Sequence, residues 1–285
     1  MNLRRLARPD RRFPPLLRQI PDPPAALWLR GDAAPELLAQ PSVAVVGARA
    51  CSSYGRAVAR SLGRDLAGAG LVVVSGLARG IDGEAHRGAI ESSGRTVAVL
   101  GCGVDRDYPA AHAELARRIL AAGGAVVSEY EPGVEPAPWR FPARNRIIAG
   151  LCRVVVVVEA RERSGALITA DFALDGGREV LVVPGEITSA LSAGTNTLLR
   201  LGATPVTCAG DVLEAVGLAP VVETPPVDGL GATVLAAVAA RAGGVDEIAR
   251  ACGLGAGAVA ATLVDLELAG RVIQEDGVYR PLRPP

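Results

Sequence analysis

The most informative absence in this sequence is lysine, which occurs at none of the 285 positions, so all 30 basic residues are arginines. A phosphate-binding loop of the GxxxxGK[ST] type and a Schiff-base enzyme both need a lysine, and both are excluded. Arginine suits two-pronged contacts with phosphate. Thirty acidic residues balance the arginines, so any nucleic-acid site has to be a local patch rather than a property of the whole surface.

Three further absences narrow the class of protein. The five cysteines are scattered without a CxxC pair and only two histidines are present, a pattern typical of reduced thiols that predicts no metal site. No run approaches the roughly 20 apolar residues that cross a bilayer, and the Arg- and Pro-rich N-terminus lacks an apolar signal core. No GxGxxG dinucleotide fingerprint is present. We therefore expect a cytoplasmic protein with no membrane partner and no cofactor.

Residues 41–217 alternate short apolar runs with helical patterns, beginning with VAVVG at 43–47. Continuous apolar runs of this length are typical of strands buried on both faces of a parallel sheet. The most apolar of them, VVVVVEA at 154–160, predicts an interior strand. Six or seven successive strand–helix units predict an α/β fold, a doubly wound and mostly parallel Rossmann-like sheet.

Two further regions flank this domain. Residues 1–40 are rich in Arg and Pro, which argues against a long helix and predicts an N-terminal strap packed on the domain. After a linker at 218–229, residues 230–285 predict three helices and a hairpin, the pattern of a winged-helix domain. The second helix of its helix-turn-helix, which would read the bases, carries Asp265 and Glu267 but no Arg, Gln or Asn. This favours protein contacts or packing over duplex binding.

The segment VVSGLARGIDGEAH at 73–86 organises the candidate site. A strand ends in a small-residue loop that leads into a helix, and such a junction can turn backbone N–H groups and an arginine toward an anion. The predicted contacts are Ser75, Gly76, Arg79 and Gly80, with Asp82 and His86 in support. A hydrolase triad of serine, aspartate and histidine is disfavoured because the GxSxG elbow is absent, so we predict no catalytic residue and a buried, hydrogen-bonded role for His86.

Other loops fall at the same predicted edge of the sheet, where ligands bind in folds of this type. Arg49 follows Gly47 after the first strand, at the position where such folds hold phosphate. Phe141 lies among Arg140, Arg144 and Arg146 in a Pro-rich loop, which predicts a stacking platform for unpaired bases, and a short helix is expected to follow over Ile147–Leu151. Later supporting residues are Gly185, Gly194 and Thr195, in a second anion-holding loop. For Glu159 a helix-cap or salt-bridge role is favoured.

Five motifs in this order resemble the DNA-processing protein A family (DprA, also called Smf): SGLARGIDGEAH, GCGVDRDYP, FPARNRIIAGL, VVEARERSGALITADFAL and VPGEITSALSAGTNTLLRLGA. The resemblance covers about residues 10–217, and the C-terminal segment resembles the family's winged-helix domain. It implies a non-enzymatic, homodimeric protein that binds single-stranded DNA in natural transformation, protects incoming strands and helps to load RecA recombinase. The implied DNA-binding residues are Arg49, the loop Ser75–Asp82, and Phe141, Arg144, Asn145 and Arg146.

Two positions depart from the family pattern. A basic residue often follows its Tyr-Pro motif, where this chain has Ala110, and another often lies three positions before the Phe, where this chain has Pro138. Arg106 or Arg140 would have to compensate for these two losses.

Two other functions fit the sequence less well. A phosphoribohydrolase of the lysine decarboxylase-like type would carry a PGGxGTxxE motif, but here Glu186 breaks the glycine pair and Leu198 stands at the catalytic glutamate. A duplex-binding regulator would use the winged helix, whose acidic recognition helix predicts that it fails to bind.

Overall fold

The computed structural model describes residues 2–218, 229–240, 243–269, 271–275 and 277–281. The chain divides into two compact units, Met1–Val221 and Val222–Pro285. Of the linker expected at 218–229, residues 219–228 lie outside the described residues.

The first unit is built on one nine-stranded sheet. Its strands are β1 (Leu3–Ala7), β2 (Ala26–Arg30), β3 (Ser42–Val46), β4 (Val72–Ser75), β5 (Thr96–Val99), β6 (Ala125–Ser128), β7 (Val154–Val157), β8 (Glu179–Val182) and β9 (Thr204–Pro205). They are ordered β1-β2-β6-β5-β4-β3-β7-β8-β9. Every neighbouring pair in the series β6-β5-β4-β3-β7-β8-β9 is parallel, whereas β1–β2 and β2–β6 are antiparallel. The predicted doubly wound, mostly parallel sheet is confirmed.

Helices cover both faces of this sheet. They are α1 (Pro15–Arg18), α2 (Ser53–Gly68), α3 (Ile81–Glu91), α4 (Ala113–Ala121), α5 (Arg140–Leu151), α6 (Gly165–Asp175), α7 (Ala193–Arg200) and α8 (Ala209–Ala215). Alternate strand residues point to opposite faces. Val43 and Val45 therefore pack with α2, α3 and α8, while Ala44 and Val46 pack with α1, α5 and α6.

The N-terminal segment differs from the expected strap because it contributes strands β1 and β2 to the sheet. Leu27 and Leu29 of β2 are fully buried, and β2 pairs antiparallel with β6. The prolines that argue against a long helix lie outside the two strands, where they remove no ladder hydrogen bond. The segment therefore belongs to the sheet itself.

Helix α5 begins at Arg140, seven residues before the start expected at Ile147. Its proline, Pro142, lies in the first helical turn, where its missing N–H leaves no intrahelical bond unmade. The FPARNR motif is therefore helical rather than a loop. Positions 141, 144, 145 and 148 consequently lie on one helix face, because residues three and four apart are neighbours.

The direction of strand order reverses between β3 and β7. The chain moves outward from β3 through β4 and β5 to β6, then returns to place β7 on the other side of β3. Helices on either side of such a switch point diverge and leave a crevice beyond the carboxyl ends of the strands. The loops after β3, β4 and β7 and the first turns of α5 and α6 surround this crevice.

The second unit contains α9 (Gly229–Ala240), α10 (Val245–Cys252), α11 (Ala256–Leu268) and the hairpin of β10 (Val272–Glu275) with β11 (Val278–Pro281). Its core includes Val238, Leu263 and Tyr279. This arrangement is the predicted winged helix. Among the described residues, no single helix is both long and apolar enough to cross a membrane; α10 and α11 meet that test only as a pair bent by 109°.

Candidate nucleic-acid interface

Two adjoining cavities open at the switch point. The inner cavity, of about 230 Å³, is lined by residues that include Gly47, Asp82, Asn145, Ser164, Gly165 and Thr169. The outer cavity, of about 440 Å³, is lined by residues that include Arg79, Gly101, Tyr108, Ala110 and Ala111. Arg49, Ala78, Phe141 and Arg144 line both. We call the two cavities together the cleft. Arg49 and Phe141 form part of the wall between them.

An aromatic pair and an arginine form the wall that the two cavities share. The rings of Tyr108 and Phe141 stack with centroids 5.2 Å apart and planes inclined by 20°. The Arg49 guanidinium lies 5.4 Å from the Phe141 centroid, a cation–π arrangement. Arg49 is exposed and takes part in none of the ion pairs found among the described residues. The wall therefore offers flat ring surface and an uncompensated positive charge side by side.

Arg144 forms the floor of the cleft and is only 4% exposed. Its Nη1 donates to the carbonyl oxygens of Gly76, at 2.8 Å, and of Val99. Desolvation lowers its pKa to about 10, opposed by the nearby Asp82 carboxylate. A Cβ at Gly76 would lie 2.6 Å from this guanidinium, so the loop needs glycine there. Arg144 thus ties the loop after β4 to the end of β5, and its Nη1 donors are already used.

Asp82 occupies the backbone groups that the sequence predicts to be open to a phosphate. Its Oδ2 accepts from the N–H groups of Gly76, at 3.1 Å, and Ala78, at 3.4 Å. Ser75 Oγ donates to the Val45 carbonyl at 2.7 Å. Desolvation raises the pKa of Asp82, although Arg144 acts against this rise. The expectation that the Gly76 N–H donates to a phosphate is therefore wrong, because this group is used inside the protein. Ser75 is fully buried and its hydroxyl is bonded to the sheet, so it does not face the cleft either.

His86 has the buried, hydrogen-bonded role that was expected of it. Thr96 Oγ1 donates to the Val73 carbonyl at 2.6 Å, so it accepts from His86 Nδ1 at 2.7 Å. Desolvation lowers the pKa of His86 to about 3, which keeps the ring neutral near pH 7. The neutral ring donates its one proton to Thr96 and so holds α3 against β5. The triad of serine, aspartate and histidine, which the sequence disfavoured, is not assembled.

Two predicted arginines are engaged away from the cleft. Arg146 lies about 200° around α5 from Arg144, and it binds Glu129 at 2.7 Å and Asp22 at 2.9 Å. Arg140 donates to the Glu135 carbonyl and lies 5.0 Å from the Tyr130 ring centroid. Neither lines the inner or the outer cavity, so both lie outside the cleft.

The residues that depart from the family pattern are not compensated nearby. Ala110 lines the outer cavity and Pro138 is exposed. Arg106, one candidate for compensation, pairs with Glu135 at 2.7 Å. Arg140, the other candidate, is occupied as described above, so the outer cavity keeps Arg79 and Arg49 as its unpaired charges within the described part of the chain.

Gly80, a predicted contact, and Gly47, a predicted supporting residue, both have structural roles. Gly80 has φ of +78°, and a Cβ there would lie 2.3 Å from the Ala48 carbonyl oxygen, so the loops after β3 and β4 approach closely only with glycine. A Cβ at Gly47 would similarly lie 2.9 Å from the Glu159 carbonyl oxygen. Glu159 in turn accepts from the Ser52 N–H at 2.9 Å, at the start of α2, the helix-cap role expected of it.

The loop around residues 185–195, predicted to hold a second anion, uses its polar groups in hydrogen bonds within the protein. Gly185 exchanges hydrogen bonds with the Asn196 side chain, at 3.3 and 3.1 Å. Gly194 donates to the Ala160 carbonyl at 2.8 Å, and Thr195 Oγ1 donates to the Ser192 carbonyl at 3.0 Å. None of these residues lines the cleft. They hold the loop after β7 in place, and their N–H groups are not a phosphate site.

Sequence reasoning missed Tyr108, Ser164 and Thr169 as cleft residues. Tyr108 follows β5, and its position beyond the carboxyl end of a parallel strand is a signal that was available. Ser164, which accepts from the Ala166 N–H at 3.3 Å, and Thr169 line the inner cavity from α6. Their role depends on β7 lying next to β3, which the sequence pattern does not reveal.

The family model described as DNA recombination-mediator protein A matches residues 4–217. The chain belongs to this family. A second model, the DprA winged helix domain, matches residues 218–277. The resemblance drawn from the five motifs is confirmed, and so is the domain that follows them.

Relatives and solved structures agree with this assignment. The chain is 47% identical to DNA processing protein DprA of Streptococcus pneumoniae over 203 residues, 70% of each chain, and 40% identical to Protein Smf of Escherichia coli over 283 residues, 95% of this chain and 75% of the relative. The crystal structure of the S. pneumoniae protein matches with a TM-score of 0.70 at 44% identity, covering 75% of this chain and 74% of that one.

A second solved structure is DNA processing protein A from Helicobacter pylori, with a TM-score of 0.67 at 30% identity, covering 76% of this chain and 96% of that one. That work describes the single-stranded DNA binding mode of the H. pylori protein. The chain is therefore similar both to DNA processing proteins and to one that binds single-stranded DNA.

Proposed function

We propose that this chain binds single-stranded DNA in the cleft and acts in DNA processing without catalysing a reaction. The observation that carries the proposal is the shared wall, in which the unpaired Arg49 guanidinium lies 5.4 Å from the Phe141 ring and Phe141 stacks on Tyr108. A positive groove with aromatic rings is the arrangement that binds unpaired strands, because each base has a face that can stack.

Phosphate contacts are assigned to Arg49 and Arg79. Three arginines and two aspartates line the cleft: Arg49, Arg79, Arg144, Asp82 and Asp107. Arg144 and Asp82 are buried near each other and each opposes the desolvation shift of the other's pKa, and Asp107 pairs with Arg30 at 2.9 Å, so these charges are compensated. Arg49 and Arg79 are left to attract an anion, in a chain whose overall charge is zero.

Bases are assigned to the aromatic surface. Tyr108 is 39% exposed although its ring stacks on Phe141, so part of the aromatic surface remains open. Cavities of about 230 and 440 Å³ suit single bases, whereas a duplex keeps its bases stacked inside and presents only phosphates and groove edges. Single strands are therefore expected to bind more tightly than duplexes.

The wider role follows the family to which the chain belongs. We propose that it protects incoming strands during natural transformation, helps to load RecA recombinase onto them and works as a homodimer. The family description as a DNA recombination-mediator protein supports the part of this proposal that concerns recombination.

Replacing Arg49 by alanine tests the site. Loss of one phosphate contact should lower the magnitude of the salt slope, d log K/d log[salt], by about 0.7 for a single strand. At 1 M salt phosphate contacts contribute little, so the variant and the wild type should bind alike there. A slope smaller by about 0.7 then lowers the affinity of the variant for oligo-dT at 0.1 M by roughly 5-fold. Fluorescence anisotropy at several salt concentrations measures both quantities.

Arg95→Ala is the matched control for this experiment. Arg95 is also exposed, but it precedes β5 and so lies at the opposite end of the parallel strands. It should leave affinity and salt slope close to wild type. If Arg49→Ala and Arg95→Ala behave alike, the cleft is not the binding site.

A further inference from the structure

The two ends of the cleft carry rims of different charge. At the outer cavity Arg79 is unpaired, but beyond it the rim contains Ala110 and Ala111, Arg106 pairs with Glu135, and Arg140 binds the carbonyl of the same residue. Little free positive charge therefore continues the cleft in that direction.

The loop after β7, at the inner cavity, carries two exposed arginines. Arg161 and Arg163 flank Glu162, and their side chains enter none of the hydrogen bonds or ion pairs found among the described residues. Arg163 immediately precedes Ser164, which lines the inner cavity. We call the segment Arg161–Arg163 the exit rim. It carries more positive than negative charge directly beside the cleft.

The backbone of the exit rim is held in a fixed position. Ser164 N–H donates to the Arg161 carbonyl at 3.1 Å, and Gly194 N–H donates to the carbonyl of the fully buried Ala160 at 2.8 Å. A Cβ at Gly194 would lie 2.6 Å from the Arg161 carbonyl oxygen, so α7 packs tightly beneath the loop. A backbone that is already ordered loses less entropy on binding.

We propose that a single strand bound in the cleft leaves it past Ser164 and Gly165, and that its next phosphates contact Arg163 and Arg161. The inference rests on the proposed function. It adds to that function the end of the cleft at which the strand leaves and the length of the binding site. The ligand is DNA longer than the cleft itself, and the exit rim contributes affinity only when the strand reaches it.

The test compares two strand lengths with one double variant. Oligo-dT of about 3 nucleotides is close to the capacity of two single-base cavities, whereas one of about 16 nucleotides extends beyond them, at the upper end of single-strand site sizes. For Arg161→Ala/Arg163→Ala, two lost phosphate contacts should weaken binding of the longer strand on the order of 25-fold at 0.1 M salt, with a salt slope smaller by about 1.4. Binding of the shorter strand should change by less than about twofold, since it fills the cleft alone.

The control removes the same charge from the opposite edge of the sheet. Arg95→Ala/Arg153→Ala removes two exposed arginines that precede β5 and β7, and both strand lengths should bind it like wild type. Equal losses for both lengths in the exit-rim variant, or no loss for the longer strand, would overturn the inference. Failure of the proposed function gives a different result, in which Arg49→Ala binds even the shorter strand as tightly as wild type.

Discussion

Replacing Arg144 by alanine is expected to destabilise the first unit by about 2–6 kcal/mol, because it leaves two buried main-chain carbonyls without their donor at roughly 1–3 kcal/mol each. The guanidinium is 4% exposed and donates to two main-chain carbonyls, those of Gly76 and Val99. Without it, both carbonyls lose a buried donor and Asp82 loses the positive charge that opposes its raised pKa. The loop after β4 should loosen, and DNA binding should fall with it.

Urea unfolding followed by tryptophan fluorescence measures this effect. Both tryptophans, Trp28 and Trp139, lie in the unit Met1–Val221, so the signal reports on the unit that contains Arg144. Arg95→Ala is the control and should change the free energy of unfolding by less than about 0.5 kcal/mol. A loss below about 1 kcal/mol for Arg144→Ala would mean that the guanidinium is not a structural element.

Asp82 provides a second measure of the same network. In a double-mutant cycle of Arg144→Ala with Asp82→Asn, the two effects should couple by roughly 0.5–3 kcal/mol, because the two side chains belong to one buried network. Purely additive effects would show that the pair does not act as a unit.

Replacing Phe141 by alanine is expected to weaken binding of oligo-dT by about 1–3 kcal/mol, the usual worth of one stacked base. In affinity this corresponds to roughly 5- to 150-fold. The loss includes any disturbance of Tyr108, whose ring is 5.2 Å away, and of Arg49, whose guanidinium rests on the same ring. Anisotropy titrations at constant salt measure it.

A conservative variant separates stacking from packing. Phe141→Trp keeps an aromatic face and should keep most of the affinity, whereas Phe141→Ala should not. Unfolding curves of both variants show whether the helix remains intact. Unchanged binding by a folded Phe141→Ala would return this side chain to a purely structural role.

Local signals in the sequence were sufficient for much of the fold. The cap of α2 at Ser52, which accepts from the Gly55 N–H at 2.9 Å, depends on residues three apart. The apolar runs that become β3 and β7 are continuous in sequence, so the sheet could be predicted from them. The start of α5 was placed too late because Pro142 signals a loop as well as a first helical turn.

The details of the site depend on contacts that are distant in sequence. Arg144 reaches Gly76, 68 positions away, and Arg146 reaches Asp22, 124 positions away. The family motif contains both arginines, yet their positions on α5 send one beneath the cleft and the other to an ion pair. Only the fold distinguishes these two roles.

The central claim is that this chain prefers single-stranded DNA, and comparing oligo-dT with a duplex of equal length tests it most directly. Both ligands should be titrated against the wild-type chain at two salt concentrations. We expect tighter binding of the single strand at both concentrations, with an affinity that falls as salt rises because phosphates release counterions. Equal affinity for the two forms of DNA would contradict the account.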